Sequence, residues 1–145
     1  MHTGRFVELG ELGIKVPAKS VICVTSSKTT KILEILHRIK DEALFLKLGP
    51  WETYTGLELK EGQEHQAKTF HDLFKLLDLI ASRQITTKYL VVSGLLNLKE
   101  KEMLDYVFYI GACLNYVDYV IISEVGAPEE TKRIQKFCTE NIFVD

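Results

Sequence analysis

Long apolar runs, paired cysteines, proline and a surplus of either charge are all scarce in this sequence. No stretch approaches the roughly 18 apolar residues of a membrane-spanning helix. The opening Met1-His2-Thr3-Gly4-Arg5 lacks the basic and then apolar signature of a secretory leader, so a cytoplasmic protein is expected. Cys23, Cys113 and Cys138 are odd in number and far apart, with no CxxC and no His/Cys cluster. They are expected to be buried reduced thiols rather than a disulfide framework or a metal site. A formal net charge of -2 gives no general attraction to nucleic acid or anionic lipid. With 3 prolines, 46% hydrophobic and 26% charged residues, disordered and collagen-like chains are excluded and a globular one remains. Its 145 residues correspond to a single domain, 1–145, able to bury a core without cross-links.

What the sequence does have is alternation. After a short lead-in around residues 5–9, the β-branched run 20–24 reads as a buried strand. The spacing of Ile32, Leu33, Ile35, Leu36 and Ile39 predicts a helix over 29–40 with one apolar face, and the basic residues near its end complement the dipole. The pattern then repeats, with strands at 43–48, 88–92, 119–122 and 142–144 and helices at 70–82, 99–115 and 129–138. This predicts parallel βαβ units in a three-layer α/β/α sandwich, its mostly parallel sheet having about five core strands. The longest irregular stretch is 49–66, and loops of that length are commonly functional or mobile.

Parallel α/β proteins bind ligands beyond the carboxyl ends of their strands, which directs attention to Thr25-Ser26-Ser27-Lys28-Thr29-Thr30-Lys31, after the first core strand. A phosphate-cradling loop has the form GxxxxGK[ST], in which glycines let backbone N–H groups wrap the phosphates and the hydroxyl binds Mg²⁺. Lys28-Thr29-Thr30 is similar to the end of that motif. Ser27 stands at the second glycine, however, no glycine lies between Gly13 and Gly49, and the loop is about two residues short against the motif.

Read with the rest of the chain, these residues resemble the RecA/RadA-like ATPase core, in a degenerate form of the RadA-paralogue type. Tyr89-Leu90-Val91-Val92-Ser93-Gly94-Leu95-Leu96-Asn97-Leu98 is similar to that family's second nucleotide motif, with Ser93 at the Mg²⁺-organising Asp. Val120-Ile121-Ile122-Ser123-Glu124-Val125 resembles the sensor strand, with Ser123-Glu124 in place of its amide. Ala43-Leu44-Phe45-Leu46-Lys47-Leu48-Gly49 resembles the strand that ends in the catalytic Glu, where Gly49 or Pro50 stands. The resemblance therefore implies a RecA-like fold without hydrolysis, because phosphate cradle, metal carboxylate and water-orienting Glu are all replaced. No catalytic residue and no cofactor is expected. The family's DNA loops are shortened to 95–99 and Gly126-Ala127-Pro128, which implies weak or indirect nucleic-acid contact.

Two readings stay open for Lys28, Thr29 and Thr30: a polar helix start capped by Ser or Thr, or a residual anion site at a helix N-terminus. Trp51 and Tyr54 are candidates for a stacking platform, but the expectation is that they pin the long loop to the body. Glu52, Glu58, Glu61 and Glu64 are expected to form a solvated face. His37, His65 and His71 share no ligand spacing, and no Ser/His/Asp or Cys/His arrangement stands out.

The helix over 99–115 differs from the others. Beyond its charged start it is apolar or aromatic almost all round, which gives it a second apolar side beyond the one a sheet needs. If not buried deeper within the chain, that side is an interface, for which Tyr106, Phe108 and Tyr109 are the candidates. The expected function is a non-catalytic RecA-like domain acting through a protein partner or as a homo-oligomer, as an accessory subunit to a RecA-family ATPase in recombination or repair. The alternatives are a nucleotide- or phosphate-binding regulatory domain using Lys28 to Thr30, and an α/β enzyme of unrelated type.

Overall fold

The computed structural model describes residues 6–9, 14–17, 19–48 and 57–144, excepting the side chains of the first two segments. Strands β1 (Phe6–Leu9) and β2 (Ile14–Pro17) form an antiparallel pair with Phe6 opposite Pro17. The remaining elements follow as β3 (Val21–Ser26), α1 (Thr29–Ile39), β4 (Ala43–Leu48), β5 (Glu64–Ala67), α2 (Phe70–Ala81), β6 (Tyr89–Ser93), α3 (Glu100–Ala112), β7 (Tyr119–Val125), α4 (Pro128–Gln135) and β8 (Glu140–Phe143). Six strands make one parallel sheet in the order β5-β4-β6-β7-β3-β8. The fold is the expected α/β class, consistent with a three-layer α/β/α RecA-like sandwich.

Strand order decides which face each helix covers. From β3 to β4 the chain steps three places toward one edge, whereas β5 to β6, β6 to β7 and β7 to β8 all step the other way. Right-handed crossovers then require α1 on one face and α2, α3 and α4 on the other. Side-chain parity agrees. Ile22, Val24, Phe45, Val91 and Ile121 meet Ile32, Ile35, Leu36 and Ile39 of α1, while Cys23, Leu46, Val92 and Ile122 meet Leu73 and Leu76 of α2, Met103 of α3 and Ile134 of α4. The step from β4 to β5 runs in α1's direction, and Leu57 and Leu59 of that connection pack into α1's cluster, as the same rule demands. Each large side chain so buried contributes about 1.5–3 kcal/mol.

Local chemistry sets the helix ends. Thr69 Oγ1 accepts from the Asp72 N–H at 3.2 Å while Asp72 Oδ2 accepts from the Thr69 and Lys68 N–H groups at 3.2 and 3.0 Å, a capping box that starts α2. These bonds, chiefly the one from Lys68, hold the Asp72 carboxyl below its ordinary value. In the connection from α3 to β7, Lys19 Nζ donates to the Val117 carbonyl at 3.0 Å and an Arg83 guanidinium N–H to the Tyr116 carbonyl at 3.5 Å.

Several expectations need correction. The sheet has six strands because β5, Glu64-His65-Gln66-Ala67, takes up the end of the expected loop. It is an edge strand that buries only Ala67 and so carries no apolar alternation. The β1/β2 pairing was not expected from the lead-in. Helix α4 ends at Gln135, and β8 starts at Glu140 rather than at 142, because the Thr139 N–H already bonds the Val21 carbonyl at 2.8 Å. No described helix is long and apolar enough to cross a membrane.

Candidate functional site

The three motif-bearing strands are neighbours. β7 lies between β6 and β3, so Ser93, Ser123, Glu124 and the Ser26–Lys28 turn gather at one carboxyl edge of the sheet. Each is set by strand parity. Ser93 and Ser123 continue the α1-facing series of Val91 and Ile121, while Glu124 continues the opposite series of Val120 and Ile122.

The turn after β3 is short. The strand runs to Ser26 and α1 starts at Thr29, leaving Ser27 and Lys28 between them, too few residues to wrap a phosphate. Lys28 occupies the N-cap and makes no side-chain cap bond. The Ser26 hydroxyl instead accepts from the Lys28 N–H at 3.0 Å, before the helix starts. Lys28, Thr29 and Thr30 are exposed.

The turn after β6 is built quite differently. Gly94 adopts φ 98°, and a Cβ there would overlap the Leu48 carbonyl oxygen, so only glycine fits. A 3₁₀ turn, Leu95–Asn97, follows. The buried Glu124 carboxylate accepts from the Leu95 N–H at 2.7 Å, and the N–H groups of Gly94 and Leu96 also favour its ionised form. Arg133 of α4 donates to the Leu96 and Leu98 carbonyls at 3.4 and 3.1 Å. An acid thus holds the donors of this turn and a guanidinium its acceptors. Burial pushes the Glu124 carboxyl up to about 7, against the three N–H donors that favour its ionised form.

Beside this clasp, Ser93 is 1% exposed and its Oγ has no hydrogen-bond partner among the described residues. The Ser123 hydroxyl donates to the Val92 carbonyl at 3.5 Å. The register partner of Ser93 on β4 is Lys47, which forms an ion pair with Glu64 at 3.1 Å.

The remaining candidates scatter. Gly49, Pro50, Trp51, Glu52 and Tyr54 lie outside the described residues. Glu58, Glu61 and Glu64 are exposed, as are His37 and His71, and His65 bonds the Gly62 carbonyl at 3.0 Å. Among the described residues, no group of three His, Cys, Asp or Glu side chains is placed to hold a metal. Cys23 and Cys113 are buried and Cys138 partly so, all three as free thiols. Burial pushes Cys113 up to about 12.

On α3 one reading changes. Tyr106 is 7% exposed, because its spacing from Met103 and Ile110 places it on the stripe that meets the sheet. It packs edge-on against Phe70, the ring centroids 4.9 Å apart. The expectation that Tyr106 lies on an outward interface is therefore corrected: its ring belongs to the core. Phe108, at 73% exposed, and Leu104, at 51%, do face outward. Tyr109 is half-buried and links Phe108, at 5.3 Å, to Phe74 of α2, at 4.9 Å.

Two features of the site escaped sequence reasoning. The Glu124 clasp was detectable in principle, since a carboxylate in register with Val120 and Ile122 has to point into the core. Arg133 carried no signal, because its partners are backbone carbonyls distant in sequence. A groove of about 680 Å³ at the opposite end of the sheet, lined by Asp41, Glu42, Arg83, Thr87, Lys88 and Asp118 among others, also matches no motif. Neither a family model nor a curated protein matches the chain.

Proposed function

We propose that this chain is a RecA-like domain that acts by protein association rather than nucleotide hydrolysis, as a cytoplasmic accessory subunit to an active RecA-family ATPase in recombination or repair. The observation that carries the reading is the outward apolar side of α3, where Leu104 and Phe108 stand in solvent and Phe108 joins Phe74 through Tyr109. Such a connected patch on a small domain is typical of a surface that meets another protein. The non-catalytic half is supported by the two-residue turn after β3 and by Ser93 at the position that the resemblance assigns to the metal carboxylate.

The test is sedimentation of the full chain, alone and mixed with a RecA-family ATPase from the same source. The parent should self-associate or form a heteromer. Leu104→Glu with Phe108→Glu should give a folded monomer with unchanged circular dichroism, since both side chains are exposed. A parent that stays monomeric and binds no such ATPase defeats the reading, as does Mg²⁺-dependent ATP hydrolysis that Lys28→Ala abolishes.

The second reading, a regulatory phosphate or nucleotide site, draws on the exposed N-terminus of α1, where Lys28 carries no side-chain cap and N–H groups and dipole converge. Saturable binding of inorganic phosphate or ATP that Lys28→Ala removes would favour it.

A further inference from the structure

Helix α3 has two unlike halves. Every charged side chain it carries, Glu100, Lys101, Glu102 and Asp105, stands in its first half, and none follows through Asn115, in the 3₁₀ turn that ends it. At about 100° per residue, Lys101, Leu104, Phe108, Gly111 and Ala112 share the side opposite Met103, Tyr106 and Ile110, which belong to the core. Along that side large side chains give way to small ones. Leu104, Phe108 and Ala112 are all exposed, and a Cβ placed on Gly111 would meet no neighbouring atom within 4 Å. A bulky stretch and an open one thus lie end to end, a shape that fits its own copy turned round.

We propose, resting on the reading of this side as an interface, that its occupant is a second copy of the chain, the two helices running antiparallel about a two-fold axis at Phe108. The axis sets Leu104 against the second copy's Ala112, Asp105 against its Gly111 and Lys101 against its Asn115. Each leucine then covers a small residue, and the two Phe108 rings meet at the centre, where offset stacking favours them. Because the same patch serves both copies, the contact closes at two and does not propagate. Phe74, joined to Phe108 through Tyr109, extends it onto α2.

Charge selects the direction. In a parallel pair Glu102 and Asp105 of both copies would crowd one end, which like-charge repulsion opposes. Antiparallel, the charged start of each helix faces the uncharged end of the other, and the Lys101 ammonium lies over the last carbonyls, where the helix dipole is negative. Asn115 Nδ2 already donates to the Ala112 carbonyl at 3.1 Å, so its amide oxygen is the group offered to Lys101. One helix face and a neighbouring ring make a small interface, so the dimer should dissociate on dilution.

The test is sedimentation of the full chain over a graded concentration range, joined to diamide cross-linking in a Cys138→Ser background, whose two other thiols are buried. Leu104→Cys and Ala112→Cys, each alone, should stay unlinked, whereas an equal mixture of the two should give covalent dimers several-fold above either. Phe108→Glu should abolish the dimer and Lys101→Glu should weaken it several-fold, with circular dichroism unchanged in both. If Cys138→Ser fails to fold, those two variants of the parent still decide. Self-linking of Leu104→Cys marks a parallel pair and overturns the proposal, as does a dimer that Phe108→Glu leaves intact. A parent that is monomeric throughout but joins a RecA-family ATPase through Phe108 overturns the second copy as occupant while the interface reading stands; a parent that does neither defeats both.

Discussion

Two turns at the same edge of the sheet, after β3 and after β6, meet opposite fates. The first is Ser27 and Lys28, exposed, with no side-chain cap on the helix it begins. The second is held from three sides: Gly94 against Leu48, the Leu95 N–H on Glu124, and the carbonyls of Leu96 and Leu98 on Arg133. The difference teaches where the domain's specificity of structure resides. The turn whose sequence is similar to a nucleotide motif is short and exposed, and its Lys28 N–H bonds the Ser26 hydroxyl. The turn that follows Ser93 is held by a carboxylate from the adjacent strand.

The comparison breaks hardest at Gly94. Gly94→Ala puts a Cβ into the Leu48 carbonyl at a left-handed φ, so β4 and β6 must separate locally. Denaturant titration should show a loss of about 3 kcal/mol or more, if the protein folds at all.

Next comes the carboxylate. Glu124 has its proton affinity raised in the folded state, from 4.5 to about 7, so the native state binds more protons than the unfolded one between those values. Its contribution is fully present below about pH 4.5 and is lost as pH rises through 7, a change on the order of 3 kcal/mol. Glu124→Gln should flatten that part of the stability profile relative to the parent. Asp72 and Glu100, held low by hydrogen bonds and by Lys136 respectively, slope the other way in both proteins and cancel in the difference. Equal slopes for parent and variant would show that the clasp does not titrate.

The smallest effects sharpen the contrast between the turns. Arg133→Ala removes two hydrogen bonds at an exposed site and should destabilise by about 1 kcal/mol. Lys28→Ala, at an exposed N-cap without a cap bond, should stay within about 0.5 kcal/mol of the parent. If the two variants lose equal stability, the turns are not unequal in the way described.

How much of this could be read from sequence depended on which force placed each element. The helices and central strands were legible because burial writes a period into the chain, as with Ile32, Ile35, Leu36 and Ile39. Strand β5 was not, since backbone pairing to β4 holds Glu64-His65-Gln66 without any apolar side chain to announce it. At the candidate site, Lys28, Ser93 and Ser123-Glu124 were noticed through resemblance, and their convergence follows from strand order. What each does there was not legible. Lys47 beside Ser93 depends on register between strands, and Arg133 binds carbonyls, which no side-chain pattern encodes. Tyr106 was placed on the wrong side of α3 because that helix is apolar almost all round and its period is weak.

The position of β3 between β7 and β8 also governs when the sheet can form. Val21 pairs with Val120 and Ile22 with Glu140, so the first strand of the main sheet to be synthesised has both neighbours near the other end of the chain. Strands β4, β5 and β6 can assemble as soon as they exist, whereas β3 and the helix it feeds must wait for the final third of the polypeptide. Contacts that distant slow folding, and an unpaired apolar strand is a hazard while it waits. A growing chain that stalls before β7 therefore carries Val21–Ser26 without a partner in the sheet, ready to pair with whatever strand it meets.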